Sequence, residues 1–127
     1  PHIIEGQMHG SCSMGQGYAL TEGYPTENGY PVKTLYRQLG LPRVEDTPDY
    51  EIILIEDPEP QGPFGAKGIS EVATVPVTPA ILNAVSRAIG VRINKVPASP
   101  EVVLEAIRTG KCDVPTMEQQ IKELEKR

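Results

Sequence analysis

The chain has 127 residues, a length typical of one domain, and 39% of them are hydrophobic, as in ordinary globular proteins. Its net charge is −5 and lysine and arginine cluster only at the extreme C-terminus, which argues against a nucleic-acid-binding surface. No apolar run approaches the ~18 residues of a membrane span and no signal-peptide pattern opens the chain, so we expect a cytoplasmic protein without a membrane span.

Small residues dominate the first segment, residues 3–21, where they alternate with apolar ones. We predict a helix here, although each interior glycine costs a helix about 1 kcal/mol relative to alanine. A helix so rich in glycine and serine is marginal by itself. We therefore expect backbone or a ligand to pack closely against its small side chains.

Turn and strand signals follow. Asn28-Gly29, within residues 23–33, is typical of a β-hairpin turn. Residues 38–49 are rich in glycine and proline and predict a loop. Residues 50–56 form a nearly continuous apolar run, which predicts a strand buried on both faces.

Two later segments carry strong helix boundaries. Thr78 and Pro79 predict an N-cap and a first helical residue, and Gly90 marks the end of that helix. Ser99-Pro100 predicts the start of a second helix, with Gly110 as its end. Residues 91–96, between the two, predict a short strand.

The C-terminal tail predicts one more helix, because Thr116 and Gln119 have the spacing of a capping box. The predicted fold class is thus α+β: a small-residue helix, a hairpin and a buried strand, then two or three capped helices. We divide the chain into a domain over residues 1–110 and a charged helix or tail over 111–127. Because residue 1 is proline and not methionine, we also expect a trimmed protein, a processed protein or a piece of a larger one.

A glycine-rich loop precedes the second helix and ends in a single carboxylate, Glu71. Its glycines, Gly62, Gly65 and Gly68, are three residues apart, which allows positive φ angles and close approach of another molecule. A lone glutamate on such a loop is a candidate general base. The alternative is a surface loop with a solvated glutamate, and short glycine motifs alone do not decide between the two.

Other chemistries fit the sequence poorly. Residues 10–15 have the glycine spacing of a phosphate-binding loop, but Gln16-Gly17 stands where that loop needs lysine and serine or threonine. His9 and Cys12 form one loose pair, whereas a structural zinc site needs four ligands. The same pair lacks the oxyanion-binding and orienting groups of a nucleophilic site. We therefore expect a packed or hydrogen-bonding histidine. Because the chain shows no secretion signal, we expect Cys12 and Cys112 to be free, buried thiols.

Two glutamines on the first helix leave two interpretations open. Gln7 and Gln16 are either exposed polar residues or amide donors to a ligand that lies against the glycines.

Four blocks of sequence occur in a characteristic order: residues 6–10 (GQMHG), 14–22 (MGQGYALTE), 65–71 (GAKGISE) and 79–85 (PAILNAV). Together they resemble the xanthine dehydrogenase / aldehyde oxidoreductase family, at the C-terminal end of its molybdenum-binding subunit. The resemblance runs from about residue 1 to about residue 108.

The resemblance implies an oxidoreductase that hydroxylates a purine, an aldehyde or an N-heterocycle, with water as the source of oxygen. Molybdenum in this family is held by a molybdopterin-type cofactor, so no protein side chain is expected to bind the metal. By resemblance, Glu71 is the catalytic base. Gln7, Gly68 and Ser70 are the expected cofactor-binding residues.

The resemblance also implies partners: the remainder of the molybdenum subunit, and iron–sulfur clusters and FAD on other domains or subunits. We expect the chain to supply the base and part of the cofactor pocket, and to be inactive alone. One alternative is a non-catalytic binding or assembly module of the same ancestry. Another is a structural α+β domain in which Glu71 has no chemical role.

Two positions depart from the family pattern. Ser70 stands where the family usually has glycine before its glutamate, and Gly10-Ser11 stands where the family often has Gly-Gly. Serine does not adopt positive φ cheaply, and at position 70 it adds a hydroxyl beside the expected site.

Overall fold

The small-residue segment forms one 19-residue helix, α1 (His2–Leu20), in the computed structural model, which describes residues 1–112. The residues that α1 buries are all small: Ser11, Gly15, Gly17 and Ala19. Ser11, Gly15 and Ala19 are four residues apart and therefore share one face of the helix. The predicted helix is confirmed, and its buried face is built from its smallest residues.

The second helix, α2 (Thr74–Ile89), packs against this face of α1. At Gly15 the two helices are so close that an added Cβ would lie 2.7 Å from the Cβ of Val77. The hydroxyl of Thr74 donates to the carbonyl of Ser11 (3.3 Å), and that of Thr78 donates to the carbonyl of Gly15 (2.9 Å). The predicted close packing is thus provided here by α2.

The predicted start of α2 is wrong. The helix begins at Thr74 instead of after Thr78, and Pro79 lies inside it. The hydroxyl of Thr78 bonds to α1 instead of capping its own helix. Pro79 removes the N–H that would bond to the carbonyl of Val75, a residue that is 75% exposed, so solvent can replace that bond. The predicted end is confirmed, since Gly90 caps the helix with a φ of 72°.

The predicted hairpin is confirmed. Strands β1 (Thr26–Glu27) and β2 (Tyr30–Pro31) pair antiparallel, with Glu27 opposite Tyr30. Asn28 and Gly29 form the turn with φ angles of 50° and 81°, as a type I′ turn requires.

The predicted loop over residues 38–49 wraps the C-terminal half of α1 and is broken only by a 3₁₀ turn, Val44–Asp46. Another 3₁₀ turn, Tyr36–Gln38, leads into it. Gly40 has a φ of 78° and lies against the backbone of Thr21, where no side chain would fit. A Cβ at Gly17 would lie 2.8 Å from the ring of Pro42, so the loop, like α2, needs a small residue on α1.

Both further strand predictions are wrong. Residues 50–56 form no strand, and Ile53 and Ile55 are 76% and 87% exposed rather than buried. A strand needs a neighbouring strand to complete its hydrogen bonds, and none of residues 1–112 pairs with this segment. Residues 91–96 are likewise irregular, because the N–H of Ile93 bonds to the hydroxyl of Ser86 on α2.

The third helix, α3 (Pro100–Thr109), has the predicted boundaries. The hydroxyl of Ser99 accepts a hydrogen bond from the N–H of Val102, and Gly110 ends the helix with a φ of 69°. A hydrogen bond with the Ser99 side chain also lowers the pKa of the exposed Glu101 carboxyl. The helix predicted from Thr116 lies outside the described residues.

A small apolar core joins α2 and α3. Its buried residues are Ile93, Ala98 and Ala106, and side chains of both helices pack around them: Leu82, Val85, Ile89, Val102 and Val103. The N–H of Ala98 donates to the carbonyl of Ala19 (2.7 Å), which joins this core to the end of α1. The described part of the chain is therefore α+β, as predicted. Both cysteines are free, as predicted, but each is only partly buried. No helix within residues 1–112 is long and apolar enough to cross a bilayer.

The contact at Gly15 predicts a difference between two otherwise equivalent substitutions. Gly15→Ala and Gly10→Ala bring the same gain in helix propensity, but only Gly15 has a neighbour within 4 Å of the new methyl group. We expect Gly15→Ala to be less stable than Gly10→Ala by about 1–3 kcal/mol, as for an overpacked core. Urea unfolding of the purified chain, followed by circular dichroism, measures the difference. Equal stabilities would contradict the close helix contact.

Candidate active site at the start of α2

The glycine-rich loop before Glu71 closes on itself. The N–H of Glu59 bonds to the carbonyl of Gly65 (3.0 Å), and a 3₁₀ turn, Pro63–Gly65, lies inside the closed segment. At its base the ammonium of Lys67 lies 2.9 Å from a carboxylate oxygen of Asp57. Residues 68–71 therefore follow an ordered loop in the sequence and lead directly into α2.

The three glycines of this loop differ in what they contribute. Only Gly65 has a positive φ, 72°, so the predicted positive φ angles are found at one of the three positions. Gly62 is needed for close approach, since a Cβ there would lie 2.8 Å from the carbonyl oxygen of Ala66. Gly68 has no atom within 4 Å of its Cβ position, which leaves its surface open.

Ser11 holds both ends of the segment that carries Glu71. Its hydroxyl donates to the carbonyl of Ser70 at 2.9 Å, across 59 residues of sequence. Its own carbonyl accepts from the hydroxyl of Thr74 at 3.3 Å. The N–H of Thr74 also donates to the carbonyl of Glu71 (3.0 Å), so the segment forms a turn that is fixed at both ends to one residue of α1.

Gln7 lies on the same face of α1, one helical turn before Ser11 and about 6 Å along the axis. The pairing of Thr74 with Ser11 and of Thr78 with Gly15 means that α1 and α2 run in the same direction. Ser70 and Thr74 both bond to Ser11, so the segment that carries Glu71 reaches α1 one helical turn from Gln7.

The surface between these residues is open. The predicted site residues are all exposed: Gln7, Gly68, Ser70 and Glu71. An added Cβ at Gly6 or Gly10 would have no neighbour within 4 Å. Among the hydrogen bonds within residues 1–112, none uses the backbone N–H groups of residues 68–71. An exposed amide, these N–H groups and bare glycine backbone would fit a polar cofactor held by hydrogen bonds.

The second glutamine has a structural role. The Gln16 amide donates to the carbonyl of Asp46 (2.7 Å) and accepts from the Tyr50 hydroxyl (3.1 Å), which ties the loop after the hairpin to α1. His9 packs edge-on against Tyr50, with ring centroids 5.7 Å apart, in agreement with the predicted packed histidine. Of the two glutamines, Gln7 is the one whose amide remains exposed.

No cluster of three histidine, cysteine, aspartate or glutamate side chains within residues 1–112 is placed to hold a metal ion. The polar groups at this site suit a cofactor bound by hydrogen bonds.

Comparison with known proteins assigns the chain to a class. The sequence model of a family described as "Molybdopterin cofactor-binding domain" matches residues 1–48. The chain is 40% identical, over 84% of its length, to a subunit of a probable xanthine dehydrogenase of Bacillus subtilis. It is 40% identical, over 82% of its length, to an aldehyde oxidoreductase of Megalodesulfovibrio gigas. The crystal structure of quinoline 2-oxidoreductase from Pseudomonas putida 86 aligns with 86% of the chain, with a TM-score of 0.77 and 32% identity.

The chain belongs to the xanthine dehydrogenase / aldehyde oxidoreductase family, within its molybdenum-binding part. It spans 14% of the length of the Bacillus relative, 11% of the Megalodesulfovibrio relative and 14% of the quinoline oxidoreductase chain.

Two residues that shape the site, Ser11 and Thr74, are not among the residues predicted from sequence. In the sequence, Ser11 is notable only because the family often has glycine at that position. Thr74 lies before the predicted start of its helix. A usable signal is nevertheless present: Thr74 and Thr78 are four apart, as are Ser11 and Gly15. When two helices pack with Thr74 beside Ser11 and Thr78 beside Gly15, a threonine hydroxyl meets a backbone carbonyl at each successive helical turn.

Proposed function

We propose that this chain is part of a molybdopterin-dependent hydroxylase, to which it supplies the catalytic base and one wall of the cofactor pocket. The observation that carries the proposal is the hydrogen bond from the Ser11 hydroxyl to the Ser70 carbonyl. This bond joins the glycine-rich helix, with Gln7, to the loop that carries Glu71. The bond thus brings two distant segments of the family resemblance together.

Each residue has a defined part in the proposed site. The Gln7 amide and the N–H groups of Gly68 and Ser70 would hold and orient the cofactor through hydrogen bonds. When bound, the cofactor would supply the two-electron oxidation by which oxygen from water enters the substrate. A carboxylate oxygen of Glu71 accepts the proton that is released as the nucleophilic oxygen attacks the substrate carbon.

The remaining parts of the proposed enzyme lie outside this chain. The chain covers only 14% of its Bacillus relative, and a pterin cofactor needs a pocket with several walls. We assign the other walls to the remainder of the molybdenum subunit, and electron transfer to iron–sulfur and FAD domains or subunits. The proposed substrates are purines, aldehydes or N-heterocycles. We propose residues 1–110 as the part that belongs to the cofactor-binding domain.

Replacing the proposed base provides the main test. In the complete enzyme, Glu71→Gln keeps the side-chain shape but cannot accept a proton, so turnover should fall by at least about 10²–10⁴-fold. Molybdenum content, measured by mass spectrometry, should be unchanged. Assays use xanthine, nicotinate and benzaldehyde with an electron-accepting dye. Glu56→Gln is the matched control, because Glu56 is also exposed but precedes the closed loop. Turnover of the Glu71 variant within a few-fold of wild type, at full cofactor loading, would favour the non-catalytic alternative.

Purification of the 127-residue chain alone should yield protein without molybdenum and without hydroxylase activity. The reason is that Gln7 and Glu71 lie on an open surface, which offers only one side of a pocket. Metal analysis after expression in cells that make the cofactor checks this expectation. Near-stoichiometric molybdenum in the isolated chain would contradict it.

A bulky side chain on the open part of α1 should block the cofactor without disturbing the fold. Gly10→Leu meets no atom within 4 Å at its Cβ, so the isolated chain should keep its circular dichroism spectrum. In the complete enzyme the same change should abolish molybdenum retention. Gly23→Leu is the control, because Gly23 is equally uncrowded but lies after the end of α1. Wild-type molybdenum content in the Gly10 variant would show that this face does not contact the cofactor.

A further inference from the structure

Ser11 occupies an unusual place in the contact between α1 and the Glu71 segment. It is a buried polar residue, 3% exposed, on the small-residue face of α1. Its hydroxyl and its carbonyl bond to residues on opposite sides of Glu71, namely Ser70 and Thr74. No other residue in the described part of the chain bonds through side-chain hydrogen bonds to both ends of this segment.

Thr78 provides a natural comparison. Its hydroxyl donates to an α1 carbonyl, that of Gly15, just as the hydroxyl of Thr74 donates to that of Ser11. The Thr78 bond lies one helical turn further from Glu71 and touches no residue of the loop. The two threonines therefore join the same pair of helices, but only Thr74 and Ser11 act on the loop.

We propose that Ser11 and Thr74 are positioning residues, whose hydroxyl bonds hold the backbone of residues 70–74 on α1 and so fix the position of the Glu71 carboxylate. This inference rests on the proposed function of Glu71. The carboxylate itself is exposed and makes no hydrogen bond within residues 1–112, so the described part of the chain positions it only through its backbone. A displacement of about 1 Å in a catalytic group can lower the rate about 10²-fold.

The physical consequence is local rather than global. A single hydrogen bond of this kind contributes little to overall stability, but its loss lets the segment open more often. The N–H of residue 74 donates to the carbonyl of Glu71, and we expect its hydrogen exchange to become about 2- to 10-fold faster when either hydroxyl is removed.

The experiment compares Ser11→Ala, Thr74→Val, Thr74→Ser and Thr78→Val in the complete enzyme. Thr74→Ser keeps the hydroxyl and should restore wild-type behaviour, whereas Thr74→Val keeps the shape without it. Hydrogen exchange by mass spectrometry, resolved with overlapping peptides, reports on the N–H of residue 74, and metal analysis reports on cofactor content. The pH dependence of kcat/KM is measured with whichever of xanthine, nicotinate or benzaldehyde is turned over.

In Ser11→Ala and Thr74→Val, the N–H of residue 74 should exchange faster, and kcat/KM should fall about 10- to 100-fold with molybdenum retained. Their profiles should keep the wild-type dependence on the ionised base at a lower plateau, because the base is displaced but present. Thr78→Val should leave both readouts near wild type. Equal effects of Thr78→Val and Thr74→Val, or unchanged exchange in Ser11→Ala and Thr74→Val, would overturn the positioning role.

Glu71→Gln, measured in parallel, separates this inference from the proposed function. If Glu71→Gln keeps its activity, the base assignment fails, whatever the exchange data show. If Glu71→Gln is inactive while Ser11→Ala and Thr74→Val match wild type in exchange and in kcat/KM, the base assignment stands and the positioning role fails.

Discussion

The close approach of α1 and α2 at Gly15 is the constraint on which the candidate site depends. The two helix backbones come near enough for threonine hydroxyls on α2 to reach carbonyls on α1 only because Gly15 has no side chain. The same approach brings the start of α2 against Ser11. It therefore sets the position of the Glu71 segment along the axis of α1. A helix of intrinsically poor propensity is thus stabilised by its neighbours, as is common when tertiary packing outweighs local preference.

The site combines a well-anchored backbone with exposed side chains. In the sequence before Glu71, the loop is closed by backbone hydrogen bonds and by the Lys67–Asp57 ion pair. After Glu71, α2 is hydrogen-bonded to α1. Gln7 and Glu71 themselves project from this scaffold at an open surface. An anchored backbone with exposed polar side chains suits one wall of a larger pocket. The backbone is fixed before binding, and the side chains remain accessible to a bound molecule.

Several local patterns were sufficient to predict the fold class and many boundaries. Asn28-Gly29, Ser99-Pro100 and Gly110 act through their own backbone preferences, so their turn and caps follow from the residues alone. The strand predicted over residues 50–56 does not form, because a strand needs a neighbouring strand as its hydrogen-bond partner. Residues 1–112 contain no such partner for this segment. Thr78 failed as an N-cap because its hydroxyl bonds to a carbonyl of α1 instead.

The sequence by itself determined which residues are candidates for the site: a lone carboxylate after a glycine-rich loop and an amide on a small-residue helix, in blocks that resemble one family. Only the tertiary structure decided that the loop of the carboxylate is bonded to that helix, since Ser11 and Ser70 are 59 residues apart and nothing local signals their hydrogen bond. It also separated Gln16, which holds a loop, from Gln7, whose amide stays exposed. Residue type sets what a side chain can do, whereas long-range packing sets which groups remain available to do it.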